Sequence, residues 1–145
     1  MSNKLNIGLI GVGMIGDVHI TNIRKDGRAE VSWIATRTQK TLDEKLSKFN
    51  IEHGTLDYTE MLRDPELDAV IIATPPSTHL DMIRKSLAAG KDILLEKPMT
   101  ASCEEVKELI RSVDNYPDRL VLECSCRHAR LQPRFSFIKD MIDRG

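Results

Sequence analysis

Half of the 8 glycines in this 145-residue sequence fall between Ile7 and His19, in the stretch IGLIGVGMIGDVH. Gly11, Gly13 and Gly16 spell G-x-G-x-x-G, a spacing that lets a chain wrap a pyrophosphate. Gly11 permits a tight turn, Gly13 lets the backbone approach the phosphates, and Gly16 lets the following helix lie close to its strand. Met14 and Ile15 open that helix, so their N–H groups lack partners within it and meet an anion at the positive end of the helix dipole. Gly8, inside the strand, marks close packing and not ligand contact.

About 20 residues further on, a dinucleotide-binding chain commonly carries an acid that binds the adenosine ribose and favours NAD. Here the stretch reads WIATRTQK, with no acid at Thr36 or Arg37. A carboxylate would repel a 2′-phosphate, whereas the Thr36 hydroxyl, the Arg37 guanidinium and Lys40 can bind one. Charge-assisted hydrogen bonds of this kind contribute about 1.5–3 kcal/mol each. The expected cofactor is therefore NADP(H), with NAD(H) accepted as well if Arg37 is only a solvated surface residue.

These residues need a scaffold that brings loops together, and the pattern of elements supplies one. Strands are predicted over Leu5–Ile10, Val31–Thr36, Ala69–Thr74, Ile93–Glu96 and Leu120–Cys124. AVIIAT and ILLE are continuous apolar runs, as in parallel strands covered on both faces. Helices are predicted over Met14–Lys25, Gln39–Phe49, Thr59–Arg63, His79–Ala89, Cys103–Val113 and Arg134–Asp143. Thr38 precedes a helix whose Leu42, Leu46 and Phe49 share a face, and Ser102 with Glu105 forms a capping box. Ser77 or Thr78 is expected to cap the helix after the double proline, with Gly90 as its left-handed C′ residue. The alternation specifies an α/β doubly wound parallel sheet, a Rossmann fold with helices on both faces.

Composition excludes several other classes. Net charge is −1 with 30% charged residues of mixed sign, so there is no electrostatic footprint for nucleic acid. No apolar run is long enough to cross a bilayer, and MSNKLNIGLI is not a secretory signal, so no membrane partner is expected. The cysteines number 3 and form neither a disulfide framework nor a metal-ligand pattern, so no metal is expected. Cys124 and Cys126 read as ordinary reduced thiols on one strand face, which suits the cytoplasm.

Three more stretches line up with the glycine loop: ATPPSTH, ILLEKP and CRHARLQPRF. With them the chain resembles, over essentially its whole length, the N-terminal half of the Gfo/Idh/MocA oxidoreductases, among them glucose–fructose oxidoreductase and inositol dehydrogenase. Glu96-Lys97-Pro98 following T-P-x-x-x-H at 74–79 is the most specific element. The resemblance implies that Thr74, Pro75 and Pro76 line the adenosine-ribose and pyrophosphate side of the cofactor. It makes His79 either a cofactor contact or a polar cap for its helix. Lys97 becomes the active-site lysine, a cation that holds the reacting hydroxyl and stabilises a developing alkoxide. Glu96 would orient Lys97 or the cofactor, and a cis bond before Pro98 would aim Lys97 into the crevice. Ser125 would lie near the nicotinamide. Arg127 matches the arginine at the crossover into a second domain, but His128 stands where relatives often have an aromatic residue.

The implied organisation is an NAD(P)-binding domain over residues 1–125. Residues 126–145 would form a crossover segment and helix leading to a C-terminal substrate domain that this chain lacks. That domain would supply the substrate pocket and a homo-oligomer interface, so the chain alone would bind dinucleotide without efficient turnover. The implied activity is hydride transfer between NADP(H) and a sugar, cyclitol or related polyol. A non-catalytic NAD(P)-binding sensor is the alternative, but a sensor has no need of Lys97. An S-adenosylmethionine-binding domain ranks third, because that ligand's free ribose hydroxyls usually want an acid after the second strand.

Overall fold

The computed structural model describes residues 4–124 and 133–144. Its six strands are β1 (Leu5–Ile10), β2 (Ala29–Ala35), β3 (His53–Thr55), β4 (Ala69–Ile72), β5 (Asp92–Leu95) and β6 (Val121–Glu123). All pair in parallel, in the order β3-β2-β1-β4-β5-β6. The helices are α1 (Met14–Asp26), α2 (Gln39–Phe49), α3 (Tyr58–Leu62), α4 (His79–Ala88), α5 (Cys103–Asp114) and α6 (Pro133–Arg144). A 3₁₀ turn, Pro76–Thr78, precedes α4. This is the doubly wound sheet expected from the sequence, and it reverses direction between β1 and β4.

The continuous apolar runs divide between the two faces with the strand period of two. Leu9, Ile34 and Ile71 turn to one side, where they meet Ile20 of α1 with Leu42 and Phe49 of α2. Ile10, Ala35, Val70, Ile72, Ile93 and Leu95 turn to the other. They pack there with Met61 of α3, Ile83 and Leu87 of α4, and Leu109 of α5. Both faces are covered, which is why AVII and DILL carry no polar alternation.

Local chemistry sets the helix ends. Thr38 accepts from the Thr41 N–H and Asp57 from the Thr59 N–H. Ser102 accepts from Glu105 N, while the Glu105 carboxylate accepts from Ala101 N, one residue before the position of a reciprocal capping box. Gly90, with φ at +72°, adopts the left-handed conformation expected after α4. The expected hydroxyl cap at its other end is replaced. Thr78 donates to Pro75 O within the 3₁₀ turn, and α4 begins without a side-chain cap. The turn takes up the hydroxyl that a cap would need.

Strand β3 is absent from the sequence-based expectation. His-Gly-Thr has no apolar run, yet Gly54 lets Leu42 and Leu46 of α2 lie against the strand: a Cβ there would be 2.7 Å from Leu42. Gly8 is a packing glycine, as expected, because a Cβ would stand 2.5 Å from Met61 Sδ. Lys91, buried at the end of the α4–β5 turn, donates to Asp64 O and Leu67 O, each at 2.7 Å, and closes the loop between α3 and β4.

Asp17 ties α1 to α2. Its two carboxylate oxygens accept from Lys45 at 2.5 Å and Lys48 at 2.6 Å. Burial pushes the Asp17 carboxyl up, but hydrogen bonds from Lys45 and Lys48 outweigh it and hold the group below its ordinary range. The stabilisation is therefore present above the ordinary carboxylate range and is lost as pH falls through the lowered native value. Asp17→Asn should cost about 1 kcal/mol at neutral pH. Denaturant unfolding of both proteins checks this: the gap should hold from pH 7 to about pH 5 and close below about pH 4.

Candidate functional site

The carboxyl ends of the central strands are laced together by main-chain hydrogen bonds. Gly11 N donates to Ala35 O at 2.9 Å, and Ala73 N to Ile10 O at 2.8 Å. Glu96 N donates to Ile72 O at 2.9 Å, and Cys124 N to Leu95 O at 2.8 Å. The loops after β1, β2, β4 and β5, with Cys124 at the end of β6, thus form one rim. Gly11–Gly16, Thr36–Lys40, Thr74–His79 and Glu96–Lys97 all stand on it. Ser125 and Arg127 lie outside the described residues.

Each glycine of the loop has a distinct reason to be there. Gly11 has φ at +91°, and a Cβ would fall 2.7 Å from Ala73 O. Gly16 is buried in α1, and a Cβ would fall 2.7 Å from Gly11 O and 3.3 Å from Leu9. At Gly13 nothing in the protein lies within 4 Å of a Cβ, so only a ligand would contest that space. Gly13 is also the N-cap of α1 and offers no side-chain cap, which leaves the first-turn N–H groups of the exposed Met14 and half-buried Ile15 available to an anion. A dinucleotide pyrophosphate fits these features.

Beyond β2, Thr36 is buried, and its hydroxyl donates to Thr38 O at 3.1 Å. Arg37 and Lys40 are exposed, and neither forms an ion pair among the described residues. The cations at this strand end are therefore Arg37 and Lys40, with Thr36 holding the turn that carries them.

Beyond β4, the Thr74 hydroxyl pairs with that of Thr78 at 2.8 Å. Pro75 is exposed, and Pro76 starts the 3₁₀ turn. His79 has no exposed surface. Its Nε2 is 2.8 Å from Thr74 O and its Nδ1 is 3.2 Å from Met99 O. Both partners are acceptors, so a neutral ring donates to one of them at a time. His79 spans from the β4 loop to the segment after Pro98 and acts on the rim through these carbonyls.

Beyond β5, Glu96 is buried at 5% exposure and Lys97 is exposed, with a cis peptide bond joining Lys97 to Pro98. Glu96 Oε1 lies 2.9 Å from His19 Nε2, and Oε2 accepts from the Lys97 N–H at 3.3 Å. His19, on α1, is a site residue that the sequence reading passed over. The only signal was a histidine three residues after Gly16, on the face that the glycine turns toward the sheet. A ring nitrogen of His19, a carboxylate oxygen of Glu96 and Cys124 Sγ lie within 4.8 Å of one another. These are zinc-type donors. In the structure the histidine and carboxylate are already at hydrogen-bonding distance.

A Gly-rich turn on a helix N-terminus at the switch point, facing a strand end with a buried acid and an exposed lysine, defines a dinucleotide-binding oxidoreductase domain. Residues 5–123 match the Gfo/Idh/MocA family model, an oxidoreductase family with an NAD-binding Rossmann fold, and the chain belongs to that family. It is 36% identical over 146 residues to the scyllo-inositol 2-dehydrogenase (NAD(+)) of Bacillus subtilis strain 168, covering 100% of this chain and 42% of that protein. Among solved structures it resembles scyllo-inositol dehydrogenase from Lactobacillus casei with bound NAD(H) and scyllo-inositol. The TM-score is 0.89 at 25% identity, covering 99% of this chain and 42% of the other. It also resembles KijD10, a 3-ketoreductase from Actinomadura kijaniata in complex with NADP and TDP-benzene. There the TM-score is 0.87 at 26% identity, covering 99% and 43%. The chain thus spans about two-fifths of the length of these relatives.

Gly16 and Gly13 separate packing from binding. Gly16→Ala must push the Gly11 carbonyl or Leu9 aside and should destabilise the fold by about 1–3 kcal/mol. Gly13→Ala should leave the melting temperature unchanged and weaken dinucleotide binding about tenfold or more, since a methyl would occupy the ligand's space. Thermal melts and NAD(P)H fluorescence titrations of the two variants check both outcomes.

Proposed function

We propose that this chain is the cofactor domain of an NADP(H)-preferring dehydrogenase acting on a secondary alcohol of a sugar, cyclitol or related polyol. The observation that carries the reading is Lys97: an exposed cation set on a buried, hydrogen-bonded Glu96, on the same rim as the glycine loop. The bound nicotinamide supplies a hydride acceptor or donor. Lys97 would hold the substrate oxygen and stabilise the alkoxide left when the hydroxyl proton departs to a base or water, before the carbon gives up its hydride. In reduction it would stabilise the negative charge that grows on the carbonyl oxygen as hydride adds to carbon. Substrate class rests on the inositol and sugar-type activities named for the relatives.

Residues 1–125 form the dinucleotide-binding unit in this reading, and 126–145 lead toward a second domain that completes the substrate pocket and carries the homo-oligomer contact. Leu120, just before β6, and Leu122 of β6, 72% and 58% exposed, and Phe137, Ile138, Met141 and Ile142 of α6 are apolar surface suited to such packing. Ser125 and Arg127 are assigned to the nicotinamide side and the crossover from the family pattern. Among the described residues, no helix is long and apolar enough to cross a membrane. The exposed thiol of Cys103 suits a reducing cytoplasm.

Cofactor choice rests on Arg37 and Lys40 at a strand end with no carboxylate at Thr36 or Arg37. Relatives of both preferences bear on it: the Bacillus protein is named for NAD(+), and the 3-ketoreductase binds NADP. Measured at fixed salt, NADPH should bind at least about tenfold more tightly than NADH. Arg37→Ala should remove most of that difference and leave NADH affinity within about twofold. Tighter binding of NADH by the unaltered chain would overturn the preference.

The role of Lys97 is tested in the full-length polypeptide with scyllo-inositol and myo-inositol as probes. Lys97→Ala should lower kcat by at least about a hundredfold while the NADPH dissociation constant changes less than about threefold. Equal losses in both would make Lys97 a binding residue.

A further inference from the structure

We infer that His19 is a positioning residue for the catalytic turn, fixing Lys97 through the buried carboxylate of Glu96. The inference rests on the reading of Lys97 as the catalytic cation and extends it to a residue on a different element, 77 positions away in sequence from Glu96. His19 sits in the second turn of α1, one helical turn after Gly16, and its side chain is only 15% exposed. Gly16 lets that helix lie close to the end of β1, so His19 reaches across to the end of β5.

With Glu96 ionised, the carboxylate has no proton to give, and Nε2 of His19 is the donor in the 2.9 Å contact. Glu96 is then held at both oxygens. Oε1 accepts from the helix that presents the glycine loop, and Oε2 accepts from the backbone N–H of Lys97. A buried carboxylate bound at both ends has little freedom to rotate, and the Lys97 backbone follows it. Cys124, at the end of β6, packs into the same group. The loop that cradles the cofactor phosphates and the turn that carries the reacting cation are thereby fixed to each other by one side-chain pair.

The test separates position from fold and from catalysis. Glutamine places its amide nitrogen close to where histidine places Nε2, whereas asparagine reaches only as far as Nδ1. In 1H–15N spectra of this chain, His19→Ala and His19→Asn should shift the Lys97 amide and raise its exchange rate about tenfold or more, as expected for a weakened hydrogen bond. His19→Gln should restore both, and NADPH affinity should stay within about twofold in all three. In the full-length polypeptide turning over scyllo-inositol or myo-inositol, His19→Ala and His19→Asn should lower kcat about tenfold or more at nearly constant KM for cofactor. His19→Gln should recover most of it.

If His19→Ala does not fold, the Asn and Gln pair still decides, since both keep a polar amide in place and differ in reach. A Lys97 amide unmoved in the Asn variant would overturn the inference. So would parallel loss of kcat and cofactor affinity. Loss of turnover on EDTA treatment with recovery on Zn2+ would make the His19, Glu96 and Cys124 group a metal centre and overturn it as well. If Lys97→Ala leaves turnover intact while the amide effect holds, the catalytic reading of Lys97 fails and the positioning does not.

Discussion

The site depends on how near α1 can come to the end of β1. A helix offers its dipole and first-turn N–H groups to a phosphate only if it begins at once after the strand, over the switch point of the sheet. The space is so small that a methyl group on Gly16 would overlap the Gly11 carbonyl, and one on Gly11 would overlap Ala73 O. Those two contacts set the helix axis. Everything that α1 carries inherits its place from them, including the uncapped N–H groups at its start and His19 one turn further along.

The same closeness explains why the rim behaves as one object. Gly11 is bonded to the end of β2, Ala73 to the end of β1, Glu96 to the end of β4, and Cys124 to the end of β5. Each loop after a strand begins with a hydrogen bond to its neighbour, so a shift of one is resisted by the next. Side chains add longer braces: His79 from the β4 loop to Met99, and His19 from α1 to Glu96. The two histidines are used alike, His79 fully buried and His19 largely so, as rings that brace separate elements without offering a broad face to solvent.

Legibility in the sequence follows burial and locality. β4 and β5 were readable because both faces are covered and the chain answers with the apolar runs AVII and ILL. α2 was readable to the residue because Thr38, Leu42, Leu46 and Phe49 all obey local spacing. β3 was not, since its three residues owe their conformation to pairing with Trp33, Ile34 and Ala35 and to Gly54 lying under α2. The Thr78 hydroxyl looked like a cap in one dimension, but the 3₁₀ turn Pro76–Thr78 claimed it first through Pro75 O. Glycine loop, T-P-x-x-x-H and Glu-Lys-Pro announced the rim as separate motifs. The contact of the glycine-loop helix with Glu-Lys-Pro through His19 is a property of the sheet order, which no local window contains.

Glu96 and Lys97 divide a task that one residue cannot do. A cation that meets substrate must be exposed, yet an exposed lysine has four rotatable bonds and no fixed address. A buried carboxylate has a fixed address but cannot touch substrate, and it is costly to bury unless hydrogen-bonded. Placing them in sequence at a strand end resolves the conflict: Ile72 O and the ladder fix the Glu96 backbone, His19 fixes its side chain, and the Lys97 N–H is bonded to the carboxylate so fixed. What remains free is the ammonium at the end of its stem, which is the part that must adapt to a substrate oxygen. A strand end buried on both faces is the place in this fold where so much order stands one residue away from solvent.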